Sequence, residues 1–188
     1  MANQWPGFGM TDAKIEEVAV WLSRDHPSFK DGMVMYFRMA AALLRQTRQD
    51  FFLLPLVFTQ SVIGLERMLK LHFGHDKKTL QAMLDDAVNG GLIRDHVFSK
   101  IEPLPKVWFQ DAVPDSAKEP ECHARKLAIC IPRLRNQFFH GHYILNVELL
   151  ELTIQTREIV DALLAVHPRS EWSYDVAEVK APSVIVVK

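Results

Sequence analysis

The sequence contains little cysteine and no recognisable targeting segment. Its two cysteines, Cys122 and Cys130, are eight residues apart, which fits neither a disulfide framework nor paired CxxC metal-binding motifs. We interpret both as buried thiols of a protein in a reducing cytoplasm. The first residues, MANQWPGFGMTD, lack the charged segment and the apolar run of a secretory signal peptide.

The chain also carries almost no net charge and has no long apolar run. Its 22 basic and 23 acidic residues give a formal net charge of −1 at pH 7. This balance argues against a broad basic surface for duplex DNA, although it allows a small local basic site. The longest apolar run, FFLLPLVF, is much shorter than the roughly 18 residues of a membrane span. We therefore predict a cytoplasmic protein that does not bind or cross a membrane.

The motifs of several enzyme classes are missing. The sequence has no glycine-rich phosphate loop, no GxSxG elbow and no HExxH pair. Cys122, His123, His140 and His142 could be drawn as a metal site, but the H-x-H spacing suits strands better than a helix, and no second ligand pair has the usual spacing. We predict neither a metal nor a cofactor.

Most of the sequence shows the spacing of apolar residues that is typical of amphipathic helices. The 188 residues, 48% of them hydrophobic, suit one domain with a sizeable core. Apolar residues recur every three or four positions in the segments 11–24, 31–48, 50–74, 76–91, 121–141 and 146–166. Thr11 can cap the first helix, Gly74 can end the third, and the fourth is expected to start at Asp76. We predict an all-α fold, an up-and-down helical bundle of about five to six helices. The segment 31–48 is apolar almost all round, which predicts a central helix.

Two segments depart from this pattern. Residues 102–120 contain four prolines and predict a long loop, which is often functional or mobile in a compact domain. Beyond Pro168 the periodicity is lost, and the final SVIVVK is β-prone and could pair with a sheet edge or a partner chain. We therefore predict a single helical domain over residues 1–168 and an irregular or β-prone tail over 169–188.

One short stretch concentrates groups that could perform chemistry. RLRNQFFHGHY contains Arg135, Asn136 and His140. Arginine offers a charged fork for phosphate, histidine exchanges protons near neutral pH, and asparagine can orient a neighbour or donate to an oxyanion. Together they could cleave RNA without a metal, by removing the proton of a ribose 2′-hydroxyl and stabilising charge on the phosphate. The alternative is that Arg135 holds a buried carboxylate and His140 is an ordinary hydrogen-bonded histidine.

Helix geometry constrains such a site. At about 100° per residue, Asn136 and His140 share one face, whereas Arg135 and His140 lie roughly 140° apart. They can converge if the helix breaks near Gly141, if the long arginine wraps around the helix, or if two copies of the chain meet across a dimer axis. The last arrangement would make a composite site with each chain supplying part of it.

The surroundings of the stretch are locally basic. The segment from Glu121 to Tyr143 contains one acid and four cations, which are Arg125, Lys126, Arg133 and Arg135. A basic patch on a near-neutral protein fits short single-stranded or loop RNA. We predict RNA contacts by Arg125, Lys126, Arg133 and His142, with solvated helix faces and internal ion pairs as the alternative.

RNQFFH matches the R-N-x-x-x-H form of the R-x(4–6)-H motif of HEPN domains. The motif also lies late in a helical chain, at the end of one helix and ahead of another. The earlier stretches LERMLKLHFG and TLQAMLDDAVNGGLI look like earlier helices of such proteins. Over roughly residues 35–165 the chain therefore resembles the HEPN family.

The resemblance implies a metal-independent endoribonuclease, typically dimeric, of a toxin–antitoxin, abortive-infection or CRISPR-associated system. It makes Arg135 and His140 catalytic and Asn136 supporting, and it implies RNA as substrate and an antitoxin or other protein as a further partner. We add Glu66, on an earlier helix, as a polar partner of Arg135. The alternative function is a non-catalytic HEPN-like module that binds RNA, a nucleotide or a protein.

Overall fold

A computed structural model describes residues 11–26, 29, 32–74, 78–101, 104, 122–140 and 148–166. These residues form a helical bundle, and within them there is no strand, which confirms the predicted all-α fold. The helices are α1 (Asp12–Leu22), α2 (Met33–Gln46), α3 (Leu54–Phe73), α4 (Leu80–Asn89), α5 (His123–Phe139) and α6 (Glu148–Val166), with 3₁₀ turns at Phe51–Leu53 and Asp95–Val97. The end of the predicted domain, the tail and most of the proline-rich segment lie outside the described residues.

The start of α1 and both ends of α3 lie at local capping or breaking residues. The Thr11 hydroxyl accepts the Lys14 N–H at the start of α1, Pro55 lies in the first turn of α3, and Gly74 ends α3 with φ 84°. The fourth helix was predicted to start at Asp76, and this was wrong. It starts at Leu80 because the Thr79 side chain caps it.

The central helix is α3 rather than α2, contrary to expectation. Helix α3 packs against α2, α4, α5 and α6, whereas α2 packs mainly against α1 and α3. The α2 side chains Met35 and Met39 are 53% and 48% exposed. At the α2–α3 contact, a Cβ on Gly64 would lie 3.0 Å from the Phe37 ring, so a larger residue there would push the two helices apart. Apolar content alone did not distinguish the helix with four neighbours from the helix with two.

The segment Phe51–Phe73 is long and apolar enough to cross a membrane by length and composition. In this fold, 56% of its apolar window is buried inside the protein. The core helix of a bundle meets the same criterion, because it also contacts apolar groups on most sides. The absence of a membrane-spanning segment stays a prediction.

A buried arginine ties α6 to the end of α1. Arg157 is 3% exposed, and its guanidinium donates to the carbonyl oxygens of Leu22 at 2.7 Å and Arg24 at 3.1 Å. It also pairs with Asp161 at 2.9 Å. These bonds satisfy carbonyl groups that the end of α1 leaves without helical partners. The periodicity of the sequence gave no indication of this contact.

The cysteines differ in their surroundings. Cys130 is fully buried, and burial raises the pKa of its thiol to about 12. Cys122 is only half-buried, so the prediction of two buried thiols holds for one of them. Both are free thiols.

Helix α5, which carries the RNQFFH motif, is anchored at its first turn by a residue distant in sequence. The Asp95 carboxylate accepts the backbone N–H groups of His123 at 3.2 Å and Ala124 at 2.8 Å. An acid at a helix N-terminus satisfies unpaired N–H groups and favours the helix dipole. The His123 ring itself is buried edge-on against Phe98, with centroids 5.2 Å apart.

Burial of His123 predicts a dependence of stability on pH. Desolvation lowers the pKa of its imidazole below the ordinary 6.5, so the unfolded state binds more protons as the pH falls through 6.5. Stability is therefore lost toward acid. We expect His123→Asn to lose less stability than the unmodified protein between about pH 7.5 and about pH 5.5, a range that brackets the ordinary histidine pKa. Urea unfolding at the two pH values measures this.

The matched control is His96→Asn, since His96 is exposed. This variant should lose as much stability toward acid as the unmodified protein does. An equal loss in His123→Asn would contradict the assignment.

Candidate functional site

The motif lies on an unbroken helix. Helix α5 continues to Phe139 with Pro132 inside it, and the His140 N–H donates to the carbonyl oxygens of Asn136 at 3.0 Å and Gln137 at 3.2 Å. One apolar stripe of α5 packs inward, with Leu127, Ile131 and Leu134 fully buried and Phe138 partly buried against the core. These contacts fix the rotation of α5 and therefore the direction of every motif side chain.

Arg135 turns toward α3. Its Nη2 lies 3.1 Å from Oε2 of Glu66, and its Nη1 donates to Oδ1 of Asn136 at 3.1 Å. The guanidinium carbon lies 4.6 Å from the centroid of the Phe139 ring, within cation–π range. The Arg135 and Glu66 side chains are 31% and 17% exposed. The structure thus brings together the two residues predicted as partners.

Glu66 holds a second cation. The Nζ of Lys70, one helical turn later on α3, lies 2.6 Å from the other carboxylate oxygen of Glu66. Each carboxylate oxygen therefore has its own positively charged partner. Two hydrogen-bonded cations offset much of the cost of withdrawing this carboxylate from water.

His140 and Asn136 lie on the opposite side of α5 from the Arg135 guanidinium. Both are exposed, and both line a hollow of about 480 Å³ between α4 and α5. Arg133 and Gln137 lie on the same wall, with Ile129 and Pro132 forming its apolar part, and Gln81 enters from α4. Each of these α5 positions lies three or four residues from another of them, the spacing of one helix face. Arg135 is not part of this lining.

The hollow combines groups that can bind and transform a phosphate ester. It offers an imidazole, a guanidinium and three side-chain amides. The Asn136 carbonyl oxygen already accepts from Arg135, so the Asn136 amide N–H groups are its donors for a ligand. Arg135 therefore orients one group of the hollow from outside it.

The remaining predicted RNA contacts have different positions. Arg125 pairs with Asp85 on α4 at 2.9 Å and also bonds Asn89, so its charge is used within the fold. Lys126 is half-buried on the same helix and is not part of the lining of the hollow. Of the three predicted cations, Arg133 lines the hollow. His142 lies outside the described residues.

Two glutamines of the hollow were not among the predicted residues. Gln137 could have been found, since it lies four residues after Arg133 and three before His140 and so shares their helix face. Gln81 could not, because its position depends on how α4 packs against α5. Gln81 is held by a hydrogen bond from its Nε2 to Asp85 at 3.1 Å.

In the described part of the chain, no three His, Cys, Asp or Glu side chains are placed to hold a metal ion. Comparison of the chain with protein-family models, curated proteins and solved structures gives no match. The HEPN resemblance therefore depends on the motif and its helical context, and it stays a prediction.

The Glu66–Arg135 pair is expected to join α3 to α5 energetically. In a double-mutant cycle of Glu66→Gln and Arg135→Gln, we expect a coupling energy of about 1–2 kcal/mol, since this charged hydrogen bond is more than two-thirds buried on both sides. Urea unfolding of the four proteins measures it. A coupling energy near zero would show that the pair does not hold the helices together.

A control cycle of Glu66→Gln with Lys70→Gln tests the pair within α3. This pair lies one helical turn apart on the same helix and joins no second helix, so its coupling should be smaller, at about 0.3–0.5 kcal/mol, the usual value for such a pair.

Proposed function

We propose that the chain is a metal-independent endoribonuclease of HEPN type that acts on RNA as a homodimer, in a toxin or defence context with an antitoxin or other protein partner. The observation that carries the proposal is the shared position of His140 and Asn136. Both are exposed and line the same open hollow of about 480 Å³ between α4 and α5.

His140 is proposed as the acid/base group that each chain contributes to the reaction. It removes the proton of a ribose 2′-hydroxyl, whose oxygen attacks the adjacent phosphorus and forms a 2′,3′-cyclic phosphate. The bond from phosphorus to the 5′-oxygen breaks, and that oxygen takes up a proton. Since His140 is the one histidine among the described residues that line the hollow, we assign the other proton-transfer group to a second copy of the chain.

Asn136 and Arg135 are proposed to support this chemistry. The hydrogen bond from Arg135 to the Asn136 carbonyl oxygen leaves the amide N–H groups to donate to oxygens of the phosphate. The resemblance assigns Arg135 a direct contact with phosphate. Such a contact would have to come from the α3 side of α5, where the guanidinium lies against Glu66.

A second function is favoured by the Glu66 contacts. Glu66 pairs with both Arg135 and Lys70, so the first residue of the motif has a structural use that needs no reaction. The alternative proposal is a non-catalytic HEPN-like module that binds RNA, a nucleotide or a protein partner. In that case the hollow would bind its ligand without cleaving it.

Cleavage of RNA in the presence of EDTA separates the two functions. We expect the unmodified protein to cleave single-stranded RNA with the chelator present, because no step of the proposed reaction uses a metal. His140→Ala should lose about 10²–10⁴-fold in rate, the usual contribution of a general acid or base. Gel analysis of end-labelled RNA measures the rate and the cyclic phosphate product.

The control for this experiment is His96→Ala, which removes an exposed histidine on another segment and should keep full activity. If the folded, unmodified protein cleaves no RNA, the non-catalytic function replaces the first. A His140→Ala variant with full activity would remove His140 from the reaction.

A further inference from the structure

The hollow contains its own arginine, on the same face of α5 as the proposed acid/base group. Arg133 and His140 are seven residues apart, which is about two helical turns, so Asn136 and Gln137 lie between them. Arg135 is two residues from Arg133 and therefore about 200° around the helix. A phosphate inside the hollow is thus on the side of Arg133.

We propose that this hollow is a binding subsite for one nucleotide unit of single-stranded RNA, with Arg133 rather than Arg135 as its phosphate-binding cation. The inference deepens the proposed function, since it takes its ligand class from it. The permanently charged guanidinium of Arg133 can donate a charge-assisted hydrogen bond to a phosphate oxygen. His140 lies two turns farther along the same wall, where a ribose next to that phosphate could be placed.

The rest of the lining suits a nucleoside. Ile129 and Pro132 offer an apolar surface for a base or ribose, and the amides of Gln81 and Gln137 can hydrogen-bond a base edge.

Arg135 makes its contacts within the fold rather than in the hollow. Its guanidinium is held by Glu66, by the ring of Phe139 and by the carbonyl oxygen of Asn136. To bind phosphate in the hollow it would have to leave all three contacts and pass around the helix. The motif arginine therefore joins α5 to α3, and the cation outside the motif faces the ligand.

The test measures binding separately from cleavage. The probe is a fluorescein-labelled adenine oligonucleotide of about six residues, within the usual site size for single-stranded binding, with every 2′-oxygen methylated. Methylation removes the proton that the reaction needs, so the probe cannot be cleaved by 2′-hydroxyl attack. Fluorescence anisotropy gives the dissociation constant at several salt concentrations for the full-length protein.

We expect Arg133→Gln to weaken binding about tenfold, the usual worth of a charged hydrogen bond. The plot of log K against log salt concentration should become shallower by about 0.7, the contribution of one phosphate contact on a single strand. Arg133→Lys keeps the charge and should keep the slope while losing part of the affinity.

Arg135→Gln should keep the slope of the unmodified protein and lower the midpoint of thermal unfolding. Arg38→Gln is the matched control, because it removes an exposed arginine of α2 that pairs with Asp25. This variant should change neither affinity nor slope.

The proposal is overturned if Arg133→Gln keeps the full slope, if Arg135→Gln flattens it as much, or if the unmodified protein does not bind the probe. Failure of the nuclease proposal gives a different result. If the protein binds the probe as expected but cleaves no RNA, the subsite stands and the proposed reaction is wrong. If the protein cleaves RNA while Arg133→Gln keeps the full slope, the reaction stands and the subsite is wrong.

Discussion

The unbroken helical backbone of α5 is the constraint on which the site depends. Because the helix continues to Phe139, each side chain of the motif points in a direction set by about 100° per residue. Leu134 and its apolar neighbours face the core, which fixes the rotation of the helix. Arg135 is then directed to Glu66 on α3, and His140 to the hollow beside α4. The residues of the motif are therefore divided between two sides of α5. Arg135 pairs with Glu66 on one side, and Asn136 and His140 line the hollow on the other.

Much of the fold follows from local chemistry that a sequence displays. The helical period located the helices, and Thr11 and Gly74 marked ends that the structure confirms. What could not be predicted depends on contacts between distant segments. Asp95 caps α5 from 28 residues away, and Arg157 binds the end of α1 from 135 residues away. Nothing in the local pattern of either residue identifies its partner, because the partner is chosen by tertiary packing.

The site was predictable to the extent that it lies on one helix. The shared face of Asn136 and His140, and the separation of Arg135 from His140, follow from residue spacing alone. The contact of Glu66 with Arg135 did not follow from spacing, because it depends on which acid of another helix lies opposite α5. The structure brings the two residues together. Gln81 was missed because the opposite wall of the hollow exists only once α4 has packed against α5.

The central claim is that Arg133 and His140 face the ligand while Arg135 is held within the fold. The most direct test is NMR of the arginine and histidine side chains during titration with inorganic phosphate. Each guanidinium Nε–H and each imidazole gives its own signal, which can be assigned by substitution. The account predicts that the signals of Arg133 and His140 shift together with one midpoint, while that of Arg135, held by Glu66, does not move. Joint shifts of Arg135 and His140, with Arg133 unaffected, would contradict it.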